Sequence, residues 1–274
     1  MPVSKVKNIV ILVLLLADLI LLALMVPGRI AQGAEKTDLR NTLSELYKKE
    51  NISLRAEQIP EGMPLYAVQL GENASAQLRA AGALLGEQMV AEADSTRHLS
   101  SFRSVYGVCS VGRDGSFRAQ LKGVPAKTAV QTLEEMGFEW ESLSEPLSSQ
   151  PGKEQVTATQ AVLGVPVFSG GLTLSFGDGD VTAVEGSFFF GTDLLTRVSK
   201  GECISEADAL IAFLAARYQM GWVGEEIRSM KQGYLRAETA SASAVQLNPV
   251  WRLETDSGTF YIDGLTGEVS AAKE

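Results

Sequence analysis

The apolar run from Asn8 to Val26, NIVILVLLLADLILLALMV, constrains this chain more than any other stretch. Ile9 to Val26 make eighteen positions, and at about 1.5 Å of helical rise each they cover roughly 27 Å, the thickness of a bilayer's hydrocarbon. Fourteen of them are Leu, Ile or Val. Each of these contributes about −0.3 to −0.6 kcal/mol on insertion, against roughly +3 kcal/mol for a central aspartate such as Asp18. The balance favours a single membrane-spanning helix over residues 8–26.

Lys5 and Lys7 precede the run, and Arg29 is the only base close behind it. This asymmetry places residues 1–7 in the cytoplasm and residues 30–274 outside, anchored at the cell membrane and in contact with the lipid bilayer. A second reading stays open: Ala31-Gln32-Gly33 offers small residues for signal-peptide cleavage, although the run exceeds the usual apolar core of ~7 to 15 residues. Asp18 also has two readings. In one it faces a helix of another membrane protein, together with Ile11, Leu14, Leu15, Leu21, Leu22 and Met25, which share its side at i±3, i±4 and i±7. In the other its carboxyl is protonated and tolerated among the leucines.

The whole chain carries a net charge of −9, and setting aside the three bases and one acid up to Arg29 makes the exterior part −11. Such a surface suits neither nucleic acid nor an anionic wall polymer. Cys109 and Cys203 lie far apart, with no CxxC pair and no metal spacing. No cysteine follows the apolar run to carry a lipid. His98, the single histidine, sits in the polar stretch DSTRHLSS and reads as a surface residue. No GxSxG motif or metal-ligand spacing occurs, so no catalytic residue, cofactor or metal is expected.

The exterior part reads as α+β, with two modules that each combine antiparallel strands and helix. Thr37-Asp38 are good N-cap types, and Leu39, Leu43, Leu46 and Tyr47 recur at helical spacing. Residues 27–64 therefore read as a juxtamembrane stalk, interrupted by Pro60, Gly62 and Pro64, with a folded module expected from Leu65. In the first module, 65–145, a strand over 65–70 precedes a helix over 73–90 and strands over 99–111 and 116–121. Gly112-Arg113-Asp114-Gly115 joins the last two as a hairpin. A helix over 125–136 closes the module. The Pro- and Ser-rich stretch 145–152 reads as a linker.

The second module, 153–274, starts with a strand over 155–162 and a β-rich unit that turns at Gly177-Asp178-Gly179-Asp180. This turn lacks the further carboxylates of a calcium loop. Ser205 to Asp208 resembles a capping box and opens an amphipathic helix that closes at Gly221. Strands over 227–238, 245–255 and 258–263 follow. Trp251, Phe260 and Tyr261 on these strands read mainly as core beneath that helix rather than as a ligand-stacking group.

The closing NPVWRLETDSGTFYIDGLTGEV, through Pro249, Trp251, Tyr261, Asp263, Thr266, Gly267 and Glu268, resembles the end of PepSY-like modules. Taken with the basic N-terminus, single span, juxtamembrane helix and two exterior modules, the chain resembles the YycI and YycH family of Gram-positive bacteria. GVPVFSGGLTLSF adds a second family-like stretch, whereas Asp18 departs from family spans, which commonly carry a neutral polar residue at most. The resemblance implies a non-enzymatic accessory protein. It would regulate the cell-wall-sensing histidine kinase of a two-component system, called WalK or YycG, through the kinase's transmembrane helices and exterior contacts. A paralogous YycH-like protein would be a further partner. A PepSY-type inhibitor or chaperone of a secreted protease is the alternative.

Overall fold

A computed structural model of the protein describes residues 37–71, 74–86, 88–94, 99–112, 114–135, 138–140, 155–189, 195–237 and 245–272. Asn8 to Val26, with Asp18 and its six companions, lies outside the described residues, as do His98 and the 145–152 linker. Among the described residues no helix is long and apolar enough to cross a membrane.

The described residues form a mixed α+β structure with a large sheet and few helices. Among the described residues there are four α-helices, α1 over 37–49, α2 (Ala74–Leu85), α3 (Ala126–Glu135) and α4 (Glu206–Ala216), and a short 3-10 helix, Ala56–Gln58. The strands are β1 (Val68–Leu70), β2 (Val90–Asp94), β3 (Leu99–Ser104), β4 (Gly107–Gly112), β5 (Ser116–Pro125), β6 (Phe138–Trp140) and β7 (Gln155–Val162). They continue as β8 (Val165–Gly177), β9 (Asp180–Ser187), β10 (Leu195–Arg197), β11 (Ile227–Arg236), β12 (Val245–Thr255), β13 (Gly258–Asp263) and β14 (Val269–Ala271). Ten of them run in the order β10-β1-β12-β11-β8-β9-β5-β4-β3-β2. β13 and β14 extend from β12, and β7 and β6 from β8.

In the first half of this array, antiparallel strands β2 to β9 bury one face. Along β5, Phe117, Ala119 and Leu121 point inward while Arg118, Gln120 and Lys122 stay exposed, the period-2 alternation of a half-buried strand. The buried face packs with Ala81, Leu84 and Leu85 of α2 and Ala129 and Leu133 of α3. In the second half β12 is central. One edge pairs with β11, while the other pairs first with β1 and then with β13. α4 crosses the inner face, where Phe213 lies 5.0 Å from Trp222 and 5.3 Å from Phe260, centroid to centroid.

The halves join where β8 leaves β9 and meets β11 through the parallel bridge Tyr234–Val167. Val162, Val165, Val167, Phe189, Tyr234 and Leu247 form a third apolar cluster there. Two glutamines satisfy backbone that no strand reaches. Gln160 Oε1 accepts from Phe189 N at 2.8 Å and its Nε2 donates to Phe189 O at 2.8 Å. Gln232 does the same for Met63, accepting from N at 2.7 Å and donating to O at 2.9 Å. Each side chain stands in for one residue of a missing strand.

Several expectations need correcting. The stretch 99–111 is a hairpin rather than one strand. It turns at Val105-Tyr106, where Ser104 Oγ accepts from Tyr106 N and Gly107 takes a φ of +141°. The helix expected over 73–90 ends at Leu85, and β2 begins at Val90. Of the juxtamembrane helix or stalk expected over 27–64, the described residues form the helix α1 and then an irregular segment, and Leu43, Tyr47, Ile52, Leu54 and Ile59 are buried in the same core as α4, Trp222 and Trp251. β1 pairs with β10 and β12 rather than with the strands that follow it. Pro60, Gly62 and Pro64 do stop regular structure, but an irregular segment can still bury its side chains. Cys109 and Cys203 are both free thiols, and Cys109 belongs to the first half's core.

Gln160 is 1 % exposed, so a Gln160→Leu change strands a buried N–H and a buried C=O on Phe189. The expected cost is about 2–3 kcal/mol, since each orphaned buried group costs roughly 1–3. Urea denaturation of the full chain in detergent, followed by tryptophan fluorescence, measures it.

Candidate functional site

α1, the helix nearest in sequence to the apolar run, meets α4 on the second half-sheet. α1 presents Leu43 and Tyr47, four residues apart and therefore on one face, to α4. Tyr47 Oη donates to the carbonyl of Leu210 at 2.8 Å, and burial raises its pKa, with Arg217 nearby opposing the shift. Ser44 Oγ donates to Leu54 O on the neighbouring flank.

Both helices stop in the same way. Asn51 takes a φ of +60°, with Asn51 N bonded to Lys48 O and Ile52 N bonded to Tyr47 O. At the end of α4, Gly221 takes a φ of +71°, with Gly221 N bonded to Tyr218 O and Trp222 N bonded to Arg217 O. This is the left-handed C-terminal cap that satisfies the last helical carbonyls. It also drops Ile52 and Trp222, the residues that follow each cap, into one core. At its start α4 is capped by Ser205, whose Oγ accepts from Asp208 N at 3.1 Å, so the sequence's capping signal operates with Asp in place of Glu or Gln.

Arg217 fastens the two C-terminal ends together. Its side chain is only 5 % exposed. Nη2 donates to Glu50 Oε2 of the α1 terminus and to Tyr218 Oη, and the guanidinium lies 4.4 Å from the Tyr218 ring centroid. The cation is thus buried while the glutamate is 44 % exposed. A part-solvated carboxylate can be rehydrated, but a buried guanidinium cannot.

The contacts of this junction hold two helices together. Burial pushes the Cys109 thiol up to about 12, which keeps it protonated and unreactive. Burial likewise raises Cys203. Among the described residues no three His, Cys, Asp or Glu side chains come together as a metal site. The face of the first half-sheet away from its helices carries a shallow groove lined by Ser110, Ser116, Arg118, Thr173 and Glu185. Its charges pair with each other, Arg118 Nε lying 3.2 Å from Glu185 Oε1 in full solvent contact.

The aromatic group singled out from the sequence divides between faces. Trp251 and Phe260 belong to the core, and Trp251 Nε1 donates to Ile204 O at 2.9 Å. Tyr261 lies on the other face of the sheet with Phe168, at 5.9 Å between centroids, and Arg252 sits 5.2 Å from the Phe168 ring. The Tyr47 and Arg217 contacts were not foreseen. Their one sequence signal is the spacing of Leu43 and Tyr47, which identifies a helix face but not what covers it.

No family model matches the chain, and no curated protein matches it. Among solved structures, the crystal structure of YycH from Bacillus subtilis matches 72 % of this chain with 12 % sequence identity and a TM-score of 0.35. The match takes in 52 % of that protein, so this chain spans about half its length.

Removing either partner of the Glu50–Arg217 pair should have unequal effects. Glu50→Ala leaves a buried cation with Tyr218 alone and costs about 2–3 kcal/mol, whereas Arg217→Leu frees a solvated glutamate and costs under about 1 kcal/mol. Tyr47→Phe should cost about 1 kcal/mol, one hydrogen bond. Unfolding curves of the full chain, read from Trp222 and Trp251 fluorescence, test the ranking.

Proposed function

We propose that this protein is a membrane-anchored accessory regulator of a two-component sensor histidine kinase concerned with cell-wall homeostasis. It acts through contacts and not through catalysis. Residues 8–26 form the anchor, with the cytoplasm on the N-terminal side. The Asp18 face, with Ile11, Leu14, Leu15, Leu21, Leu22 and Met25, packs against the kinase's transmembrane helices. The exterior half-sheets bias the kinase between signalling states by binding one conformation better than the other.

The observation that carries this reading is the attachment of α1 to α4. The helix that follows the anchor is not a loose stalk: Leu43, Tyr47, Ile52 and Leu54 share one core with Phe213, Trp222 and Trp251. A displacement of α1 is therefore passed to the sheet, and the reverse. The resemblance to the YycI and YycH family supports the choice of a kinase as partner, while the PepSY-like ending is shared with the protease-inhibitor reading. An accessory protein of a secreted protease would not need this coupling.

Site-specific crosslinking in membranes tests the proposal. Kinase contact and kinase output are compared for the native chain, Asp18→Leu, and a chain whose residues 8–26 are replaced by an unrelated span. The expected result is lost crosslinking and altered output in both variants. Unchanged contact and output would refute packing through this helix. Full cellular activity from residues 30–274 alone would favour the protease inhibitor or chaperone.

A further inference from the structure

The outer side of the α1–α4 junction carries apolar side chains that nothing among the described residues covers. Leu39 and Leu46 lie seven residues apart on α1 and so share a helix face, while Ile211 lies on α4 and Tyr218 in the turn that follows it. Leu46 precedes Glu50 by one turn, and Glu50 reaches Arg217 beside Tyr218, so the two pairs adjoin. Val223 follows the cap of α4. Tyr218 is 73 % and Val223 87 % exposed.

We propose that this seam rests on the headgroup surface of the lipid bilayer, with α1 running along the membrane rather than standing away from it. The proposal depends on the reading of residues 8–26 as a span. Three observations favour lipid as the occupant. Residues 27–36 are the whole connection between the span and α1, and ten residues reach at most about 35 Å when fully extended. The seam is thus held near the bilayer, where tethering lets a weak contact form that would fail in free solution.

The second observation is charge. Residues 37–50 carry three bases and three acids, whereas the exterior part as a whole is strongly acidic. The α1 side of the seam can thus approach a headgroup layer, with Lys48 and Lys49 exposed on it, whereas Glu225 and Glu226 follow Val223 on the other side. The third is composition. Leucine, isoleucine and valine around an exposed tyrosine, with lysine beside them, match the side chains that settle at a membrane interface. Five part-exposed apolar side chains are also far fewer than the roughly twenty to thirty residues per side that a stable protein interface uses.

The experiment uses the full chain in nanodiscs of phosphatidylcholine, with and without phosphatidylglycerol. A nitroxide is placed at Val223→Cys in a Cys203→Ser background, and a second sample carries it at Val105→Cys, a hairpin tip far from the seam in the fold. The expected result is a several-fold lower collision rate with a water-soluble relaxant at 223 than at 105, and contact with oxygen dissolved in lipid. Adding Leu39→Ser and Ile211→Ser, both at exposed positions outside the Arg217 contacts, should return the 223 label to water. Equal water access at 223 and 105 overturns the proposal. So does spin–spin broadening at 223 without lipid contact, which would place a second copy on the seam. Alkaline carbonate extraction tests the span separately. A chain that resists extraction but keeps 223 wet refutes the seam alone, while one that is extracted refutes the span.

Discussion

The burial of a seam between two half-sheets is the constraint on which the rest of the structure depends. Antiparallel strands satisfy their own backbone, but the place where one sheet hands over to another leaves segments with no neighbouring strand. β8 solves part of this by length. Its thirteen residues extend about 43 Å at ~3.3 Å each, enough to pair with β7 along one edge and to divide the other edge between β11 and β9. The remaining groups are met by side chains. Gln160 and Gln232 bind backbone N–H and C=O together, and Tyr234 Oη donates to Tyr66 O at 3.2 Å. A seam so bonded can be apolar elsewhere, and Val162, Val167, Phe189 and Leu247 make it so.

Local chemistry was legible in the sequence where each signal could be satisfied locally. The Asp178-Gly179 turn appears with φ values of +53° and +87°, as a tight hairpin requires. Ser205 caps α4, although the helix ends at Ala216 and a turn intervenes before Gly221, and the three C-terminal strands lie within two residues of their expected limits except where residues 238–244 fall outside the described set. The Val105-Tyr106 turn escaped because both residue types favour strands, so that nothing but Gly107 marks a reversal.

Long-range pairing was not legible. β1 is three residues long and carries no mark that it belongs between β10 and β12. Gln160 shares the parity of Val156, Ala158 and Val162, so alternation puts it on the inward face without showing what satisfies its amide. Its buried role depends on Phe189, which meets it only in the fold. The junction of α1 and α4 was half legible. Spacing shows that Leu43 and Tyr47 share a face, but the covering partner lies more than 160 residues later, at Leu210.

That junction decides what kind of device the exterior part can be. A flexible stalk lets an anchor and a sheet move independently, so that events in the membrane leave the sheet's binding surface unaffected. Here α1 is held at its middle by Tyr47 and at its end by Glu50 and Arg217, and the chain then enters the core through Ile52 and Leu54. A regulator that works by preferring one partner conformation gains nothing from tight binding alone, because equal affinity for both states shifts neither. It needs its contacts in the membrane and outside to report on the same change. With α1 fixed to the sheet, contacts made by the helix and contacts made by the sheet report on the same change, and any partner state that demands another placement of the two is disfavoured.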